Sequence, residues 1–279
     1  MNNYSYKVNK KFNNITVKDF LILKGLSQEI IKSVKIGGIF INGKLNQNIN
    51  DKVYKKDKVE IVLPVGEVNK YIIPVKGNLK VLYEDEYFIA VIKERGIITH
   101  SSKHDKTLSL EELVLGYFAP NTFVFRPINR LDKDTSGIVI IAKDMYSASK
   151  LNDLIKNGKI KKYYQAVAVG KPKKRKFIIE KPIKKLSENG VKRVCNEDGK
   201  YAKTIVKVKK FLLNNKFVAD IKLITGRTHQ IRVHLSSIGY PLYADSLYGE
   251  KVKGETYELV AYKLAFNHPF TNKKLKIEI

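Results

Sequence analysis

Asn129-Arg130-Leu131-Asp132-Lys133-Asp134-Thr135-Ser136-Gly137 runs without a break into Ile138-Val139-Ile140-Ile141-Ala142. A polar stretch rich in turn formers therefore feeds an apolar run dominated by β-branched residues. The pattern predicts a buried strand over Gly137–Ala142 entered from a loop. A loop braced against a strand holds reactive side chains rigidly, so Asp132 is a candidate for chemistry. A plainer account fits the same residues: Asp and Thr favour turns because their side chains bond nearby backbone.

Outward from this segment, short apolar runs predict strands at Leu79–Tyr83, Tyr87–Ile92, Tyr163–Val169, Ala202–Val208 and Lys216–Leu223. A carboxy-terminal pair follows around Leu259–Phe266 and Lys274–Ile279. Helical spacing marks Leu108–Phe118, Tyr146–Asn157 and His229–Ile238, and Lys171–Lys176 reads as a basic loop. Strands follow one another without regular intervening helices, which implies an α+β fold with a mixed sheet rather than a doubly wound parallel one.

The amino-terminal part differs. Its first fourteen or so residues are polar and are expected to be loose. Val17, Phe20, Leu21, Leu23 and Leu26 then recur at helical spacing, and Ser27 stands where an N-cap belongs, ahead of Ile30, Ile31 and Val34. Ile39-Phe40-Ile41 precedes Asn42-Gly43, a hairpin turn signal, and a further strand spans Lys58–Leu63. The expected organisation is a small module over 1–64, a linker over 65–78, and a large domain over 79–279.

Lys and Arg number 53 against 27 Asp and Glu, a formal net charge of +26 on 279 residues. Such an excess suits a polyanionic partner, because neutralising phosphates releases condensed counterions. A basic genome composition gives the same excess. Apolar residues make up 43% of the chain, enough for a substantial core. No window approaches the ~18 consecutive apolar residues of a membrane span, and the amino terminus lacks the apolar centre of a secretory signal. Cys195 is the single cysteine, which excludes an intramolecular disulfide and a cysteine-rich zinc site. A reduced cytoplasm is the simplest location.

Two further segments carry candidate chemistry. In Thr225-Gly226-Arg227-Thr228-His229-Gln230-Ile231-Arg232-Val233-His234, Thr228 is placed to cap the following helix, with Arg227 at its positive end. His229 and His234 lie five apart and do not share a helix face as a metal pair would. His100 and His104 have the four-residue spacing, but the Ser and Lys residues around them do not make up a metal-ligand set. In Lys162-Tyr163-Tyr164-Gln165-Ala166, strand alternation puts Tyr164 and Ala166 on one side and Tyr163 and Gln165 on the other. Most strand tyrosines pack, and alternation alone makes neither one catalytic.

Taken together, Arg130–Gly137, Lys162–Ala166 and Thr225–His234 resemble, in content and order, the three motifs of the RluA-type family of pseudouridine synthases. Gly239-Tyr240-Pro241-Leu242, Asp245 and Tyr248-Gly249 also look like its pattern, and the likeness runs from about Leu79 to the end. The resemblance implies that family's fold, with a mostly antiparallel sheet. It also implies that the amino-terminal module is an α-L RNA-binding domain presenting Ser27, Lys32, Lys35, Asn42 and Lys44 to RNA. Two departures stand out: Asn129 where the family has His, and Ala244 where it has Gly.

The implied reaction detaches uracil from ribose, turns it, and rejoins it through carbon. No atom enters or leaves, so no cofactor or metal is expected. By the resemblance Asp132 is the catalytic carboxylate, acting as nucleophile or by removing a ribose proton. Arg227 pairs with it, Arg130 supports the site, and Tyr164 stacks on the base, with proton removal from the rejoined carbon a further task open to it. The substrate class is RNA, with large-subunit ribosomal RNA ahead of transfer RNA, and a monomer is the default state. The competing functions are a non-catalytic RNA-binding or ribosome-assembly protein of the same fold, and a methyltransferase. The latter calls for a glycine-rich cofactor loop that the sequence lacks.

Overall fold

The computed structural model describes residues 2–69, 71–102 and 106–279; the side chains of Asn2 and of 35–37 lie outside the described set. The amino-terminal stretch expected to be loose is instead strand β1 (Asn2–Lys7), paired along its length with β6 (Lys58–Leu63). Its anchor is Tyr4, whose ring packs with Tyr87, Tyr146 and Phe270 and whose hydroxyl donates to Asp144 Oδ2 at 2.8 Å. Buried Tyr4 and Val8 are few among polar neighbours, so composition hides the strand.

Between these strands come β2 (Ile15–Thr16), α1 (Val17–Leu23), α2 (Gln28–Gly37), β3 (Ile39–Ile41), β4 (Lys44–Asn46) and β5 (Lys52–Val53). Asn42 and Gly43 both have positive φ, 52° and 81°, the geometry of a type I′ hairpin turn between β3 and β4. Thr16 caps α1, and Ser27 caps α2 by accepting from the Ile30 N–H. Their apolar faces bury Phe20, Leu21, Ile31 and Val34 against Val59 and Ile61 of a four-stranded sheet ordered β1-β6-β3-β4. The stretch expected to link two domains is tied down: Val65 O accepts from Arg126 Nη2 at 2.5 Å and the Val75 N–H donates to Glu112 O.

The remainder builds one nine-stranded sheet. Its strands are β7 (Val81–Glu84), β8 (Phe88–Lys93), β9 (Ser136–Ala142), β10 (Lys161–Val169), β11 (Lys176–Glu180), β14 (Lys203–Leu212), β15 (Lys216–Leu223), β16 (Leu259–Asn267) and β17 (Lys274–Glu278). The order is β11-β14-β15-β10-β16-β9-β8-β7, with β17 on β16, and every pair is antiparallel except β9 with β16. Helices α3 (Leu110–Phe118), α4 (Met145–Lys156) and α5 (Gln230–Ser236) and a small hairpin, β12 (Ile183–Lys185) with β13 (Arg193–Cys195), complete it. The fold is α+β with a mostly antiparallel sheet. None of the described helices is long and apolar enough to cross a membrane.

Strand β9 is buried on both faces. Val139 and Ile141 point into one core with Val91, Tyr164 and Leu235, while Ile138 and Ile140 point into another with Phe88, Leu151 and Leu264. Gly137 stands where β9 meets its parallel neighbour: φ is 122° and a Cβ would fall 2.6 Å from the Ala261 nitrogen. The loop before it is thereby delivered to the middle of the sheet, at the mouth of the first core.

Candidate active site

Alternate residues of the loop ahead of β9 are fastened. The Asn129 amide donates to Ile138 O and accepts from the Ile140 N–H, both at 3.0 Å, so the amide mimics a neighbouring strand. At Leu131, the carbonyl accepts from Thr99 Oγ1 at 2.8 Å and the N–H donates back at 3.3 Å. Lys133 O accepts from the Gly96 N–H and from Lys93 Nζ at 3.0 Å. Thr135 is buried with its hydroxyl 3.4 Å from that of Tyr257. With 129, 131, 133 and 135 held from below, Arg130, Asp132 and Asp134 keep an open side.

Lys93 is the unexpected member of this support. It is wholly buried, and its ammonium donates to Glu94 O, Ile97 O and Lys133 O at 3.0, 2.8 and 3.0 Å. Burial pushes its pKa down to about 8, with the charges of Asp134 and Asp132 pulling the other way. Three carbonyl acceptors match three N–H donors, which fixes the ammonium form and ties two loops together.

A backbone turn does form, from the Thr135 N–H to Asp132 O at 3.1 Å, yet among the described residues the Asp132 carboxylate accepts no bond from neighbouring backbone. Its side chain is 30% exposed and faces Arg232 Nη1 at 3.6 Å and His229 Nε2 at 3.8 Å. The cation beside Asp132 is therefore Arg232 and not Arg227. Arg227 is exposed and donates its Nε–H to Tyr201 O at 2.9 Å. The two arginines lie five apart across a helix start, so Arg232 is turned toward Asp132 and Arg227 away from it.

Arg232 is itself tightly held. Its Nε and Nη2 donate to Asp245 Oδ2 and Oδ1 at 2.7 and 2.8 Å, and its guanidinium packs over the rings of Tyr257 and Tyr248, 4.4 and 5.0 Å from their centroids. Burial works against the charge, but the two bonds donated to Asp245 lift its proton affinity above the ordinary range. Asp245 is fully buried and also accepts from the Leu247 and Tyr248 N–H groups. Ala244 before it adopts φ 58°, a left-handed conformation that accounts for glycine at that point in related patterns.

The helix start differs from expectation. Thr228 does not cap α5: His229 occupies the cap position at φ 57° without a side-chain cap bond. Buried Gln230 does the organising, its Oε1 accepting from the Arg227 N–H and Thr225 Oγ1 and its Nε2 donating to Lys203 O and Thr204 Oγ1. The left-handed twist turns the His229 ring inward, where Nδ1 meets the Tyr248 hydroxyl at 2.8 Å. Burial keeps this imidazole below its usual pKa; Asp132 opposes that, and Arg232 and Arg193 add to it, so His229 is neutral at pH 7.

Tyr164 is buried on the inward face of β10, beside Ala166. Its pKa is raised, first by burial and then by the Asp132 charge, so the ring lies within electrostatic reach of the carboxylate and stays protonated. Arg130 is exposed and makes no ion pair among the described residues. Tyr257, which sequence patterns did not single out, packs against the Arg232 guanidinium.

In the amino-terminal module, Ser27, Lys32, Asn42 and Lys44 are exposed. Ser27 is spent on its cap, and the Asn42 amide bonds Asp57 Oδ1 and the Lys58 N–H. The Lys35 side chain lies outside the described residues, as does His104. His100 faces Glu111, with Nδ1 3.6 Å from Oε2.

Residues 87–237 match the RNA pseudouridylate synthase family. Over 235 residues the chain is 34% identical to the Bacillus subtilis protein named uncharacterized RNA pseudouridine synthase YhcT, spanning 82% of this chain and 78% of that one. It is 32% identical over 262 residues to ribosomal large subunit pseudouridine synthase D of Neisseria meningitidis, spanning 88% and 69% of the two chains. Among solved structures, human RNA pseudouridylate synthase domain containing 1 superposes with a TM-score of 0.63 at 24% identity, over 72% of this chain and 83% of that one.

Proposed function

The chain belongs to the RNA pseudouridylate synthase family, and from that membership we propose that it converts specific uridines of structured RNA to pseudouridine, with Asp132 as the catalytic carboxylate and no cofactor. The observation that carries this assignment is the state of Asp132. It is a part-exposed carboxylate on a rigid loop, unspent on its own backbone, with a buried guanidinium 3.6 Å away.

Arg232 sets a fixed positive charge against the carboxylate, which suits both the nucleophilic and the proton-abstracting routes. Neutral His229 and protonated Tyr164 line the same space and offer hydrogen-bonding and stacking surfaces rather than charge. In this reading a uridine swung out of its stack reaches Asp132, at a cost of a few kcal/mol that is smaller in a loop than in a duplex. Phosphate contacts to the basic surface offset that cost. The related proteins named for the large ribosomal subunit make ribosomal RNA the first substrate to test. Exposed Lys32 and Lys44 would meet RNA from the amino-terminal module, while Ser27 and Asn42 shape the frame that presents them.

The deciding experiment compares wild type with Asp132→Asn on ribosomal RNA from cells lacking the gene, mapping pseudouridine by chemical labelling. Wild type is expected to restore a discrete set of sites and Asp132→Asn none, with RNA affinity largely kept. Wild-type yield from Asp132→Asn would overturn the catalytic assignment.

A further inference from the structure

Lys162 and Arg227 are left over from the two motifs whose other members build the site. Each sits two residues before a site residue: Lys162 before Tyr164 on β10, and Arg227 before His229 at the start of α5. On a strand, two residues span about 7 Å on the same face, so Lys162 lies one pleat outward from Tyr164. Among the described residues its Nζ donates only to Thr225 O, at a long 3.4 Å, and a Cβ added to Gly226 would stand 3.0 Å from it. The missing side chain at Gly226 thus keeps the space around the ammonium open. Arg227 is oriented through Nε by Tyr201 O, leaving both Nη groups unspent among the described residues.

Neither cation has a carboxylate partner among the described residues. Burial lowers the proton affinity of Lys162 and the Arg227 charge lowers it further, with no acidic group acting in the other direction. Two like charges brought together, one of them part-buried, cost stability unless an anion joins them. The fold maintains that cost two residues along the chain from Tyr164 and from His229, where nothing in the support of the Asp132 loop uses either side chain.

We infer that Lys162 and Arg227 form a seat for one phosphate of the RNA backbone, next to the nucleotide engaged at Asp132. The seat positions the strand; the chemistry stays with Asp132. This assignment rests on the RNA-modifying function proposed above. Lys162 supplies a compact ammonium with two free donors and Arg227 a planar pair of Nη groups, a complementary set for a tetrahedral oxyanion.

The test titrates a fluorescent single-stranded oligouridylate against wild type, Lys162→Met, Arg227→Gln and the double variant over a series of KCl concentrations. Each single substitution should weaken binding about ten-fold at low salt, the size of one lost charged hydrogen bond. Each should also make the dependence of log affinity on log salt shallower by roughly 0.7, and the double variant by roughly 1.4. Lys162→Arg and Arg227→Lys should keep the wild-type slope. In turnover, the neutral variants should raise KM with little change in kcat. Lys162→Met, which keeps the aliphatic stem, should melt at or above the wild-type temperature, since it removes an uncompensated cation. Unchanged salt slopes in both neutral variants overturn the seat. Expected slopes with no pseudouridine formed by wild type support the seat and sink the enzymatic assignment; wild-type turnover with unchanged slopes does the reverse.

Discussion

Asp245→Asn separates the scaffold of this site from its chemistry. Arg232 makes two bonds to Asp245, at 2.7 and 2.8 Å, with the Asp245 side chain fully buried and that of Arg232 only 9% exposed. An asparagine keeps the shape but turns one acceptor into a donor facing a donor, and it removes the charge. Among the described residues Asp132, 3.6 Å away and partly solvated, then remains the one carboxylate beside a buried guanidinium. Breaking a buried pair by removing one partner costs about 3–5 kcal/mol. The Leu247 and Tyr248 N–H groups can still bond the amide oxygen, which points to the lower end, about 3 kcal/mol. At roughly 2–4 °C per kcal/mol for a chain of this size, the melting temperature should fall by about 6–12 °C. Calorimetry or circular dichroism reads that shift. The double variant Arg232→Met, Asp245→Leu should recover most of the loss, because apolar replacement of a buried pair is often neutral or better. It should still make no pseudouridine, having no cation against Asp132. A melting temperature for Asp245→Asn within about 1 °C of wild type, or turnover by the double variant, would refute the role given to this pair.

Three other outcomes follow from single side chains. Burial takes Lys93 from the ordinary 10.5 to about 8, so the unfolded chain binds that proton more tightly. Stability should be lower below about pH 8 and rise between pH 8 and 10.5 by up to about 3 kcal/mol. Denaturant titrations at the two ends of that range should show the rise in wild type and lose it in Lys93→Met; an equal rise in the variant assigns it to other groups. Ala244→Gly should stabilise by about 0.5–1 kcal/mol, the relief of a left-handed alanine less the greater freedom of unfolded glycine; a lowered melting temperature would show that the buried methyl group outweighs the strain. Tyr4→Phe removes the bonds to Asp144 and Ser147 at a cost of about 1–2 kcal/mol, which should appear as faster proteolysis within 65–78; unchanged cleavage would free the docking of β1 from dependence on that hydroxyl.

Much of the large sheet was legible because its strands are long and their apolar residues periodic. The expected strand at Lys216–Leu223 coincides with β15, and Gly137–Ala142 is one residue short of β9. The elements that escaped have short or mixed signals. Strand β1 has two buried apolar residues in and beside it; β12 and β13 are three residues each; and β11 begins at Lys176, at the end of the basic run read as a loop. Their order comes from partners distant in sequence: β11 lies on β14, and Tyr4 meets Asp144 across 140 positions. Local periodicity carries no information about such partners.

The site was legible in its residue types and not in its pairings. Arg227 and Arg232 are equally plausible partners for a carboxylate when read along the chain, and the helix start between them decides the matter. His229 at φ 57° swings the chain so that the side chains before it face outward and those after it face the sheet. Asp245 then becomes intelligible: a carboxylate buried without exposure is tolerable only beside a fixed cation, and it fixes that cation at the distance where Asp132 can share it. Lys93 is the counterpart under the loop, a buried ammonium satisfied by three backbone carbonyls. A lysine ending an apolar strand reads as an exposed terminus, and only the return of 129–135 over it shows that the charge is inside. The rigidity of Asp132 thus depends on two buried charges that no motif marks for that purpose, which is why substitutions at 93 and 245 test the site as directly as substitutions at 132.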